Sequence, residues 1–162
     1  MSCILDIDLD YFRMVDRPFA RLRRMLAWAG KPVRLSHRRH HHAFLEWARL
    51  VKAGELTIPH FITYVDEHHD MMNELDRPNI GNVIYQAMQT WPACRVYWLT
   101  PSPIDSPAMW LTDETWAELK ERFTVGASIS DEWPRPDLLS VTKNTEFVPP
   151  VLADKLVEII DR

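Results

Sequence analysis

Ser2-Cys3-Ile4-Leu5-Asp6-Ile7-Asp8-Leu9-Asp10-Tyr11-Phe12 alternates apolar and acidic residues after a short apolar start. Alternation with a period of two is the pattern of a β-strand. The stretch therefore reads as a strand whose C-terminal end turns polar and places three carboxylates on one side. The same arrangement recurs downstream, where Phe61-Ile62-Thr63-Tyr64-Val65 is too short for a helix and ends in Asp66-Glu67-His68-His69-Asp70. Arg95 to Leu99 and Leu138 to Thr142 are two further strands. Between the strands the apolar spacing is helical: Phe19 to Ala29 before Gly30, His40 to Ala53 before Gly54, a helix from Asn79 through Ala87, one capped by Thr112 or Asp113 and running to Phe123, and Leu152 to Ile160. Strands alternating with helices predict a three-layer α/β/α fold with a mainly parallel central sheet, whose ligand sites lie at the carboxyl ends of the strands.

The chain of 162 residues is the length of one domain, read as a single unit over 1–162, and 46% hydrophobic residues with seven Trp exclude a disordered tail. No apolar run approaches the ~18 residues of a membrane span, and the first residues carry Asp where a secretory signal carries Lys or Arg. A cytoplasmic location without membrane contact is the expectation. Cys3 and Cys94 lack a CxxC partner and are expected to be buried free thiols. The net charge of −4 is uneven: residues 1–12 carry −3, residues 13–39 carry +8, and the remainder −9. The acidic remainder argues against a general nucleic-acid binder.

Three clusters could carry chemistry. In Asp66-x-His68-x-Asp70, side chains two apart converge on one side of an extended segment and suit a divalent cation. In Asp6-x-Asp8-x-Asp10, three neighbouring carboxylates repel one another unless a cation neutralises them. His37, His40, His41 and His42 stand at the start of a helix. His-Glu-x-x-His and a Ser-centred nucleophile elbow are both missing, which disfavours a thermolysin-like protease and an α/β-hydrolase.

Taken together, these residues resemble the two-manganese site of the arginase and deacetylase superfamily. The runs Leu5 to Phe12, Val65 to Met71, Gly81-Asn82, Val96 to Pro101 and Leu138 to Pro150 are similar to a small arginase-like family. That family includes peptide arginases, which convert arginine residues of ribosomally made precursor peptides into ornithine. The resemblance implies two Mn2+ per chain. Asp66, His68 and Asp70 match the Asp-x-His-x-Asp ligands, and Asp8 with Asp10 match the Asp-x-Asp pair, Asp6 with Asp8 being the other alignment. His40 matches the remaining ligand by its spacing to Ala43, Phe44 and Trp47, with His41 as the alternative. In arginases the Asp-x-Asp strand follows the Asp-x-His-x-Asp strand, whereas here it comes first, so a circular permutation is implied.

The chemistry implied is attack of hydroxide on the guanidinium carbon, with Asp70 handing a proton to the departing ornithine amine and His68 beside it in the catalytic group. Glu146 and Asn82 are the candidates for holding the guanidinium, and His69 is expected at the surface. The partner implied is an arginine-containing precursor peptide; the sequence does not set the oligomeric state. Two other readings stand beside it: a deacetylase-like or small-guanidine hydrolase with the same metals, and a non-catalytic peptide or nucleic-acid binding module built on residues 13–39.

Overall fold

The computed structural model describes residues 2–103 and 105–162. Its centre is one all-parallel sheet of six strands: β1 Ser2–Asp8, β2 Leu35–His37, β3 Pro59–Val65, β4 Arg95–Leu99, β5 Phe123–Gly126 and β6 Leu138–Thr142. The spatial order is β2-β6-β1-β3-β4-β5. Parallel neighbours need crossovers, supplied here by helices α1 Pro18–Ala29, α2 His41–Lys52, α3 Val83–Thr90, α4 Asp113–Leu119 and α5 Pro150–Ile160.

Side-chain alternation along β1 divides the core into two layers. Ile4 joins Ile62, Tyr64, Val96 and Trp98 under α2, α3 and α4, with Trp47 completely buried among them. Leu5 and Ile7 join Leu139 and Val141 under α1 and α5. Both faces of the sheet are covered, so all seven residues of β1 are buried and its two acids are buried with them. Asp6 and Asp8 share the parity of Ile4 and so point to the α2 side.

Four local expectations are corrected. β1 stops at Asp8, because its Oδ1 accepts a hydrogen bond from the Asp10 amide (3.0 Å) and opens a 3₁₀ turn over Leu9–Met14. Only Asp6 and Asp8 therefore belong to the strand, and Asp10 is carried by the turn. Two strands have no counterpart in the sequence reading: the three-residue β2, and β5, whose Phe123 was assigned to the preceding helix. That helix ends at Leu119 and passes through a short 3₁₀ turn at Lys120–Arg122. Finally, α3 begins at Val83 rather than at Ile80, since Asn79, Gly81 and Asn82 are occupied in holding the loop before it. Among the described residues no helix is long and apolar enough to cross a membrane. Both cysteines are buried and free.

Candidate metal centre

The polar cluster forms where β1, β3 and β6 end. In the β1–β3 register Asp6 pairs with Tyr64 and Ile7 with Val65, which brings Asp8 level with Asp66; across β6, Asp8 pairs with Thr142. The chain leaving β6 turns at Asn144, whose backbone is left-handed (φ 42°) and whose Nδ2 donates to Asp8 Oδ2 (3.1 Å). Asp70 is also left-handed (φ 49°), and its carbonyl accepts from the amides of Ile84 and Tyr85 in the first turn of α3. Amide donors at a helix start thus anchor the backbone that carries this carboxylate.

His40 caps α2 and turns its ring into the cluster. Its Nε2 lies 2.6 Å from Asp6 Oδ2, while Nδ1 is 3.2 Å from one oxygen each of Asp8, Asp66 and Asp70. A neutral ring that gives Nε2–H to Asp6 would present an Nδ1 lone pair to three carboxylate oxygens, an arrangement that is repulsive unless a proton or a metal cation lies between them. The second half of the cluster has the same character. His68 Nδ1 is 3.2 Å from Asp10 Oδ2 and 3.6 Å from Asp66 Oδ1, and the amides of Glu67 and His68 donate to Asp10 and Asp66.

Two triads result, Asp8–His40–Asp66 and Asp10–Asp66–His68, each offering ligand atoms within 4.8 Å of one another, and Asp66 is common to both. Carboxylate and imidazole donors of this kind suit Mn2+ or a similar divalent ion, and a shared carboxylate can bridge two such ions. Electrostatics agree with the geometry. Burial, and then the charge of Asp66, push the Asp8 and Asp10 carboxyls above their ordinary range. Burial disfavours a charged His40, but Asp6 and the hydrogen-bonded carboxylates outweigh it and raise its pKa well above the ordinary value. Hydrogen bonds to Asp10 and Asp66 raise His68 to about 11. Without metal, protons supply the positive charge that the cluster needs.

Tyr64 is the member that sequence reasoning missed. Its buried hydroxyl lies 2.5 Å from Asp66 Oδ2, 2.7 Å from Asp70 Oδ2 and 3.2 Å from His40 Nδ1. Strand parity held the signal, since Tyr64 stands two residues before Asp66 on the same face. Asn144, on a loop, had no such signal.

The remaining candidates fall elsewhere. Asp6 reaches His40 and orients the imidazole, so Asp8 and Asp10 are the pair facing the triads. His41 packs its ring against His42 and joins neither triad, because a one-residue step on a helix turns the side chain about 100° away. Asn82 is buried but donates to Asn73, Leu75 and Arg77 in the loop before α3, which leaves it outside the lining of the site. Glu146 likewise lies outside and pairs with Arg39 (3.2 Å) and Arg38 (3.9 Å). His69 is completely buried instead of at the surface; its Nδ1 accepts from the Met71 amide (3.0 Å) across the Asp70 turn.

Over the triads lies a cavity of about 170 Å3, bounded by Asp8, Asp10, His40, Asp66, His68 and Asp70 together with Met72, Ile80, Gly81, Asn144 and Phe147. The chain matches no known family model, and no similar curated protein or solved structure was found.

Proposed function

We propose that the protein is a manganese-dependent hydrolase that removes urea from arginine residues of a ribosomally made peptide and leaves peptidyl ornithine. The observation that carries this reading is the pair of carboxylate–histidine triads sharing Asp66 at the strand ends. Asp8, His40 and Asp66, with Asp70 beside them, would hold one ion, and Asp10, Asp66 and His68 the other. Bound there, the ions supply a hydroxide nucleophile at neutral pH.

The chain's own residues do the rest. Asp6 holds His40 through Nε2, and the Tyr64 hydroxyl, with one proton to donate, lies within hydrogen-bond distance of Asp66, Asp70 and His40 Nδ1. Asp70 borders the cavity and is the group assigned to pass a proton to the leaving amine. Among the described residues no Lys or Arg lines the cavity, so an amino acid's own carboxylate has no cationic partner there. Ile80 and Phe147, both exposed, line it instead, as suits a substrate arriving within a chain of other residues. Two buried free thiols are consistent with a reducing, cytoplasmic setting.

The test is mass spectrometry of an arginine-containing peptide incubated with the protein and Mn2+, beside free arginine. Loss of about 42 Da per modified residue, absent in Asp66→Ala and Asp8→Ala, is the expected result for a two-metal reaction. Two bound ions with no mass change on any arginine substrate would move the function to another amide or guanidine.

A further inference from the structure

The basic segment 13–39 divides sharply once folded. Arg13 pairs with Glu67, Lys31 with Asp137, Arg34 with Glu55, and Arg38 and Arg39 with Glu146. The four cations left without an ion pair among the described residues are Arg17, Arg21, Arg23 and Arg24, all on α1 or at its start, and α1 contains no acidic residue. Arg21 and Arg24, nearly one turn apart, line a cavity of about 410 Å3 with Tyr11, Trp28, Leu99 and Asp131.

This cavity is partly built in advance. Arg21 is tethered at two points: Nε donates to the Asp16 carbonyl (3.1 Å) and Nη1 to the hydroxyl of the buried Tyr11 (3.2 Å). Its Nη2 has no partner among the described residues. A guanidinium already held in place loses little entropy when it takes a carboxylate. Trp28 and Leu99 add apolar surface beside the two cations. Tyr11 directly follows the metal-triad residue Asp10 on the same 3₁₀ turn, so one turn serves both cavities.

We propose that this cavity is a second binding site, which takes an acidic side chain and its apolar neighbour from the same peptide whose arginine enters the metal centre. The inference rests on the peptidyl reading above and names a feature of the substrate: a carboxylate near the target arginine. A nucleic-acid backbone fits less well. The chain beyond residue 39 carries a net charge of −9, which repels a polyanion along its whole length more than it repels one carboxylate held by two arginines.

The probe is a fluorescein-labelled peptide that contains Asp or Glu beside Leu or Trp and has no arginine, titrated by fluorescence anisotropy. Saturable binding is expected, weakened about tenfold or more by Arg21→Gln with Arg24→Gln, by Arg24→Gln alone to a lesser degree, and by amidating the acidic residues of the probe. Arg23→Gln, which changes an arginine outside the cavity, should leave binding intact. Thermal melting of each variant checks that it folds.

No saturable binding to the natural chain overturns the proposal, as does equal binding by the double variant. Displacement by N-acetylaspartate as tight as by the peptide would reassign the site to a free carboxylate. Tighter, Arg21-dependent binding of a single-stranded oligonucleotide would reassign it to nucleic acid. Because the probe carries no arginine, its binding is read independently of hydrolysis: saturable, Arg21-dependent binding together with no mass change in the arginine-peptide assay overturns the peptidyl reading and leaves an acidic-peptide site.

Discussion

At His40 the two ring nitrogens have different work: Nε2 is held by Asp6 and Nδ1 faces Asp8, Asp66 and Asp70. Asp6→Asn should free the ring and weaken Mn2+ binding by roughly 10–100-fold, the usual cost of losing a partner behind a metal ligand. Isothermal titration with Mn2+ measures it, and unchanged affinity would remove Asp6 from this role. Tyr64→Phe takes one donor from two buried carboxylates, whose repulsion then rises. Metal-free Tyr64→Phe should melt lower, by about 1–3 kcal/mol of stability, and regain most of the loss when Mn2+ is added. Asp66 is shared by both triads, whereas Asp10 belongs to one. Asp66→Asn should therefore reduce bound metal toward zero and Asp10→Asn toward one ion per chain, counted by elemental analysis after gel filtration.

At the scale of elements, the edge pair β4–β5 depends on a close approach. A Cβ at Gly126 would overlap the Tyr97 hydroxyl, which donates to the Ser128 carbonyl. Gly126→Ala should push Tyr97 aside and cost about 1–3 kcal/mol, the range for overpacking, and denaturant unfolding reads it. If Gly126→Ala costs as much in a Tyr97→Ala background, which lacks the ring atoms that the Cβ would meet, the contact is not the cause. The interior of α2 is a more severe case. Trp47 is completely buried between α2 and the sheet, and Trp47→Ala should cost about 3–5 kcal/mol.

For the whole molecule, protons and the proposed metal ions would compete for one cluster. His68 has a folded pKa of about 11 against an ordinary 6.5, so its stabilisation of the metal-free protein is complete below the ordinary value and is lost as pH rises through the folded one. Asp8 and Asp10, whose pKa values are raised, act in the same direction: their contribution is present below the unfolded carboxyl range and fades as they ionise. Metal-free protein should therefore melt lower as pH rises from 6 to 8.5, while the added stability from Mn2+ grows, because binding must displace these protons. Scanning fluorimetry across that range, with and without Mn2+, checks the prediction. A metal-induced shift that shrinks with rising pH would contradict it.

The sequence by itself determined the class of fold and the ends of the strands where polar residues gather, since period-two and period-3.6 patterns are local and survive without any knowledge of neighbours. Val65 followed by Asp66-x-His68-x-Asp70, and Leu5 followed by Asp6-x-Asp8-x-Asp10, were legible for that reason. Which of Asp6, Asp8 and Asp10 faces the cluster was not, because the choice depends on the turn that Asp8 opens and on where α2 places His40. The choice of His40 over His41 depends on helix phase relative to the sheet. Tyr64, Asn144 and the tethered Arg21 owe their roles to strand neighbours and crossovers that bring distant residues together. Only the tertiary structure decides such contacts, because a hydrogen bond or a charge acts over a few ångströms of space, whatever the separation along the chain.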